Sequence, residues 1–304
     1  SNLLKLSAGI AAAVVLLSIL LSRMLTRKIS TLLTAIRKVR AGAYEHRTHI
    51  SGRDEIAQIG EEFNSLTDRL QTTETLRRRF VSDASHELKT PLAAIRLLTD
   101  SILQTDQMDM ETVRDFVTDI GSEAERLSRI TEDLLRLTRL DSDLLDAPET
   151  VEVAPVLEQV MRMMSLLAQE KGTELTYRME GNCRVSATKG EVHQVIYNLT
   201  DNAVKYSGKN GKVRVELRHE DHDVVLTVAD NGPGIPEEDL PKVFERFYRV
   251  DKARSRAAGG TGLGLSIVQD TVKKRGGTVS AANRAGGGAV FTVRWPEAEG
   301  GDRS

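Results

Sequence analysis

An uncharged run, LSAGIAAAVVLLSILL, occupies Leu6–Leu21, and six basic residues (Arg23, Arg27, Lys28, Arg37, Lys38 and Arg40) follow it. Crossing a bilayer core takes about 20 consecutive apolar residues. Leu3 and Leu4 extend the run toward that length, and Lys5 can snorkel to the interface. A secretory signal would end at a small-residue cleavage site, whereas this run leads into an amphipathic pattern. The reading is a transmembrane helix over residues 3–22, with its basic flank on the cytoplasmic side. The chain opens on Ser1 rather than Met, which leaves room for a further region upstream.

From about Leu25 to Ala41 the apolar residues Ile29, Leu32, Leu33, Ile36 and Val39 recur at helical steps, and Gly42 ends the stripe. A polar stretch over Ala43–Arg53 follows. A second stripe comprises Ile56, Ile59, Phe63, Leu66 and Leu70, with Asp54 and Glu55 at its start, where negative charge suits the helix dipole. Two short amphipathic helices bury little alone, so they call for a partner chain. Next, helical patterns run over Thr73–Gln104 and Met110–Leu140, separated only by Thr105–Asp109. A short loop between long helices predicts an antiparallel hairpin, and two hairpins close a four-helix bundle. A homodimer follows from that packing need.

Beyond Pro148 the pattern changes. Helical stretches (Val156–Lys171, Glu191–Tyr206) alternate with β-rich ones at Glu174–Met179, Lys212–Leu217, Val224–Ala229, Thr278–Ala282 and Ala289–Trp295. This half predicts an α/β sandwich with a mixed sheet and helices on one face. A length of 304 residues accommodates such a division, and a charge of −2 with 4% aromatics argues against nucleic-acid binding. The single cysteine, Cys183, reads as a buried spectator thiol.

Four stretches carry chemistry. In Phe80–Leu92 the sequence His86-Glu87-Leu-Lys-Thr90-Pro91 sets an imidazole beside a carboxylate. Neutral imidazole attacks phosphorus at neutral pH, and an adjacent carboxylate accepts the proton shed. Asn198, Asn202 and Lys205 lie four and three residues apart, hence on one helical face. Amide oxygens suit Mg²⁺, and a lysine suits phosphate. Asp230-Asn-Gly232-Pro-Gly234 closes an apolar strand, where a carboxylate can accept from an adenine amino group. Gly259-Gly260-Thr261-Gly262-Leu263-Gly264 precedes a helix and offers free backbone N–H groups to phosphates, though it lacks the Gly-Lys-Ser/Thr of a P-loop. His46, His49, His219 and His222 read as ordinary surface histidines.

In this order, the stretches resemble bacterial transmembrane sensor histidine kinases of two-component systems. Residues 23–73 resemble a HAMP linker, a dimeric all-α coiled coil, departing from the family at Lys28, where proline is frequent, and at Ala57, where glycine is. Residues 74–141 resemble the HisKA dimerisation hairpin, residues 142–150 a linker, and residues 151–297 the Bergerat-type ATP-binding domain shared with gyrase, Hsp90 and MutL; residues 298–304 read as a disordered tail. The resemblance implies that His86 is the phosphoacceptor, Glu87 its general base, and Thr90 a group orienting water for dephosphorylation of the partner. It assigns Asn198 and Asn202 to Mg²⁺ and phosphate, Lys205 to phosphate, Tyr206 to the nucleotide pocket, and Asp230 to adenine. Gly232, Gly234, Gly260, Thr261, Gly262, Leu263 and Gly264 complete the ATP site, with Arg246 and Arg249 of the lid motif Phe244–Arg249 near phosphates. Gly286-Gly287-Gly288 resembles a third glycine box, although a plain hairpin turn explains it equally. The implied cofactors are ATP and Mg²⁺; the implied partners are a second copy and an aspartate of a response regulator, read by Ala94, Leu97, Leu98 and Ser101. The implied setting is the inner (plasma) membrane, with the kinase portion cytoplasmic. The competing readings are an ATP-driven conformational machine, a non-enzymatic scaffold and a protein acting chiefly as a phosphatase.

Overall fold

The computed structural model describes residues 2–105, 108–140, 147–181, 183–208, 210–251 and 260–298. Most of the segment expected to be a linker, the middle of the hairpin loop and all of the tail but Ala298 therefore lie outside the described residues. Residues up to Ser82 and residues from Asp83 on form two compact units.

In the first unit, helix α1 spans Asn2–Arg40 without interruption, so the apolar run and the first amphipathic stripe are one element. It is long and apolar enough to cross a membrane. Gly42, at φ +95°, takes the left-handed turn that ends it. The connector then lies along α2 (Glu55–Gln104). The Thr48 N–H donates to Asn64 Oδ1 at 2.9 Å, and Asn64 Nδ2 returns a bond to the Thr48 carbonyl at 2.9 Å. Arg47 donates to Asp68 at 2.6 Å and to Gln71 at 2.6 Å. Lys28, which stands where the family often has proline, reaches Asp54 at 2.6 Å. Asp54 also accepts from the Ala57 N–H at 3.0 Å and caps α2. The lysine's hydrogen bond holds the Asp54 carboxyl below its ordinary range. The second stripe and the first hairpin helix, expected as separate elements meeting near Thr73, are continuous in α2.

The second unit holds the rest of α2, then α3 (Met110–Leu140), which lies beside it at Glu87 and Arg126. Beyond them are β1 (Glu149–Glu152), α4 (Val153–Glu170), β2 (Glu174–Met179), β3 (Arg184–Ala187), α5 (Lys189–Tyr206), β4 (Lys212–Glu220) and β5 (Asp223–Asp230). After a short 3-10 turn come α6 (Gly264–Lys274), β6 (Thr278–Asn283) and β7 (Ala289–Pro296). A five-stranded sheet has the order β2-β4-β5-β7-β6, with only β2 and β4 parallel. Alternation along β4 buries Val213, Val215 and Leu217 and exposes Arg214 on the opposite face. The buried face meets Leu157, Val160 and Met164 of α4, Val195, Ile196 and Leu199 of α5, and Val268 and Val272 of α6. This is the expected α/β sandwich. Cys183 is buried, and burial pushes its thiol up.

One correction concerns the entry to this sandwich. Glu149 and Thr150, expected within the linker, are already strand, pairing with Ala187 and Ser186 in a second, two-stranded sheet. Both strands are only four residues long, and ETVE carries a single apolar residue.

Helix α5 begins with a capping box between Thr188 and Glu191. The same Glu191 carboxylate receives Arg275 in two bonds of 2.8 and 2.9 Å, with both side chains about nine-tenths buried. Removing one partner of a buried pair strands the other charge. Arg275→Ala is therefore expected to cost about 3 kcal/mol, measured as a lowered urea midpoint.

Candidate functional site

A cavity of about 540 Å³ opens between α3, α5 and the loops around β5 and α6. Asn198, Asn202, Lys205, Tyr206, Asp230, Gly234, Gly260, Thr261, Gly262 and Gly264 all line it. Residues spread over more than sixty positions of sequence thus meet in one hollow.

Asp230 ends β5 and is 4% exposed. Its Oδ1 accepts from the N–H groups of Gly232 at 2.8 Å and Ala289 at 3.2 Å. Burial pushes the carboxyl up, against the lowering effect of those bonds. Gly232 does not line the cavity; a Cβ there would overlap the Tyr206 carbonyl oxygen. The third glycine box has a related cause. Gly288 sits at φ +90°, where a Cβ would overlap the Asp230 carbonyl oxygen, so only glycine lets β7 close on this strand end.

Asn198 donates to the Gly264 carbonyl at 3.0 Å and accepts from Gln194 at 2.7 Å, which ties α5 to the start of α6. Its oxygen and that of Asn202 are neutral hard donors one helical turn apart, beside the glycine-rich loop. Such a donor set fits Mg²⁺ bound jointly with phosphates. Lys205 pairs with Asp201 at 2.6 Å while lining the cavity. Gly262, at φ +74°, packs against the Phe247 backbone, and the Phe247 N–H donates to the Gly262 carbonyl at 2.9 Å. Leu263 is fully buried beneath this loop. Arg246 does not reach the cavity and pairs instead with Asp270 at 3.0 Å. Arg249 does line the cavity. So does Tyr248, whose hydroxyl is pushed up to about 12 by its hydrogen bond to Asp239.

His86 and Thr90 are exposed on α2, and the Thr90 hydroxyl donates to the His86 carbonyl at 3.1 Å. Neither His86 nor Glu87 lines the cavity. Sequence reasoning missed the part of the cavity wall supplied by α3: Arg129, Glu132, Asp133 and Arg136. Asp133 accepts from the Thr261 hydroxyl at 2.8 Å, and burial pushes its carboxyl up. His193 and Tyr197 were missed too; their rings stack 6.4 Å apart. The signal for these two was their place on the same helix, Tyr197 next to Asn198 and His193 one turn before Tyr197.

Three family models match the chain: the HAMP domain over residues 20–72, the His Kinase A (phospho-acceptor) domain over residues 76–143, and the histidine kinase-, DNA gyrase B- and HSP90-like ATPase over residues 187–299. The signal transduction histidine-protein kinase AfsQ2 of Streptomyces coelicolor is 35% identical over 97% of this chain and 58% of its own length. BaeS of Escherichia coli, described in the same words, is 31% identical over 92% of this chain and 60% of its own length. The chain thus spans under two thirds of these relatives. Full-length ShkA, solved in complex with AMPPNP, aligns at a TM-score of 0.53 and 29% identity, covering 74% of this chain and 46% of that one. All three models match in order between residues 20 and 299, so the chain carries a HAMP domain, a phospho-acceptor domain and a histidine kinase-type ATPase domain, the arrangement of a sensor histidine kinase.

Proposed function

We propose that this chain is the signalling part of a membrane-anchored sensor kinase, which uses Mg-ATP to phosphorylate His86 and passes the phosphoryl group to an aspartate of a response regulator. One observation carries the reading: Arg249 lines the cavity and also bonds Glu87 at 3.0 Å, so a single side chain joins the nucleotide site to the phosphoacceptor pair. The AMPPNP held by ShkA supports a nucleotide in this cavity. Asp230 would read the adenine, and the glycines at 260, 262 and 264 would hold phosphates on backbone N–H groups. Asn198 and Asn202 would hold Mg²⁺, which offsets phosphate charge when bound.

His86 attacks the γ-phosphorus in line, and Glu87 takes its proton. Since neither residue lines the cavity, the nucleotide half must move on its connector for the attack. Exposed apolar residues Ile29, Leu33, Ile36, Ile59, Leu66 and Leu70 favour a homodimer through residues 23–73, and the hairpin over residues 74–141 would complete a four-helix bundle. Leu97, 68% exposed, with Ala94, Leu98 and Ser101, would meet the regulator, and Thr90 would serve its dephosphorylation. The setting is the inner membrane, with α1 as its span.

The test is incubation with ATP radiolabelled at the γ-phosphate, with Mg²⁺. The expected label is labile to acid, stable to alkali, and transferable to a receiver domain. An acid-stable label would sink the reading, and no label on protein that binds ATP would favour the scaffold.

A further inference from the structure

Two guanidiniums converge on one oxygen of Glu87. Arg126 Nη2 donates to Oε2 at 3.1 Å, and Arg249 Nη2 donates to the same atom at 3.0 Å. Among the described residues nothing bonds Oε1. The two arginines differ in what carries them. Arg249 belongs to the nucleotide half, whereas Arg126 stands on α3, in the same hairpin as His86.

Arg126 is also deeply placed, its side chain 6% exposed. A guanidinium does not deprotonate in proteins, so at this depth it depends on carboxylates. Glu87 supplies the close contact, and Glu123 adds a longer one at 3.6 Å from Nη1. Nε is buried with no acceptor among the described residues. Were the Glu87 carboxylate to swing away, a buried cation would lose its nearest partner. The pairing lies wholly between α2 and α3, so it does not involve the nucleotide half.

We infer that Arg126 is a positioning residue for phosphoryl transfer, pinning Oε2 of Glu87 and leaving Oε1 to accept the proton of the His86 ring. In the step, the lone pair of one imidazole nitrogen forms the bond to the γ-phosphorus. The bond from that phosphorus to the β–γ bridging oxygen breaks, and its electron pair leaves on ADP. The proton on the other ring nitrogen passes to Glu87 Oε1. Arg249 departs with the nucleotide half when that half moves, and Arg126 remains. The inference rests on Glu87 acting as the base in the proposed function.

The test uses the whole chain in detergent or bilayers and follows autophosphorylation against ATP concentration. Arg126→Ala is expected to lower kcat about tenfold with KM unchanged, a fraction of the hundredfold or more that general bases contribute. Arg126→Lys should recover part of the loss, because it keeps the charge without the planar fork. In a Glu87→Gln background, Arg126→Ala should add nothing further, as expected of two residues acting as one unit. An unchanged kcat, a change confined to KM, or losses that multiply in the double variant would overturn the inference. Should Arg126→Ala fail to fold, Arg126→Lys decides: reduced kcat at unchanged KM supports positioning, and wild-type kcat overturns it. Full activity in Glu87→Gln, with label still on His86, removes the inference and leaves the kinase reading intact. Absence of His86 label in the unaltered chain removes the kinase reading itself.

Discussion

Replacing His86 with alanine should abolish phosphoryl labelling, by about a thousandfold or more, the scale on which losing a nucleophile acts. The fold gives no reason for collateral damage. His86 is exposed on α2, no described side chain depends on its ring, and alanine is the best helix former. The Thr90 hydroxyl bonds the His86 carbonyl, which the substitution leaves in place. Nucleotide binding should be unchanged, because the residue lies outside the cavity wall. Labelling and nucleotide titration on the same preparation check both halves. Label that survives the substitution would move the acceptor elsewhere; lost nucleotide binding would point to a structural role for His86.

Asp230→Asn is expected to weaken ATP binding about ten- to hundredfold, the scale of one charged hydrogen bond, without unfolding the protein. The asymmetry of the carboxylate explains the separation. Oδ1 braces the Gly232 and Ala289 N–H groups, and an asparagine oxygen can take over that role. The other position then carries an NH₂, which opposes an adenine amino donor instead of accepting from it. The effect on stability has the opposite sign. A carboxyl raised above its unfolded value by burial costs stability as pH rises through that interval. At neutral pH the neutral amide should thus melt at or above the wild-type temperature, and the gap should narrow as pH falls into the carboxylate range. Isothermal titration and thermal melts read the two effects. Wild-type affinity in this variant would remove Asp230 from adenine recognition.

The five-stranded sheet and the glycine-rich walls were legible because their signals are local. An apolar strand ending in Asp230-Asn-Gly232-Pro-Gly234 carries its own punctuation, and four of the five strands keep the expected starts Glu174, Lys212, Thr278 and Ala289. What escaped depended on long-range geometry. Strands β1 and β3, four residues each, are too short to declare themselves and are fixed by pairing with each other and by the bridge from Val185 to Glu297. Arg126 and Asp133 sit amid the many charges of α3, and nothing in that spacing tells a solvated charge from one facing Glu87 or Thr261. Arg246 and Arg249 are three apart in one motif, yet one turns to Asp270 and the other to the cavity. For Lys28 the clue was the departure from proline itself: an amine placed there has Asp54 within reach.

The small β1–β3 ladder has a mechanical meaning. Its first pair joins Glu149 to Ala187, and Ala187 directly precedes Thr188, the residue that caps α5. Tension carried by the chain that enters at Glu149 is therefore applied at the root of the helix bearing Asn198 and Asn202, and reaches the five-stranded sheet only through the bridge from Val185 to Glu297, just past β7. In the proposed function, the strand that leads into the nucleotide half is fastened to the lever carrying the two amides proposed to hold Mg²⁺.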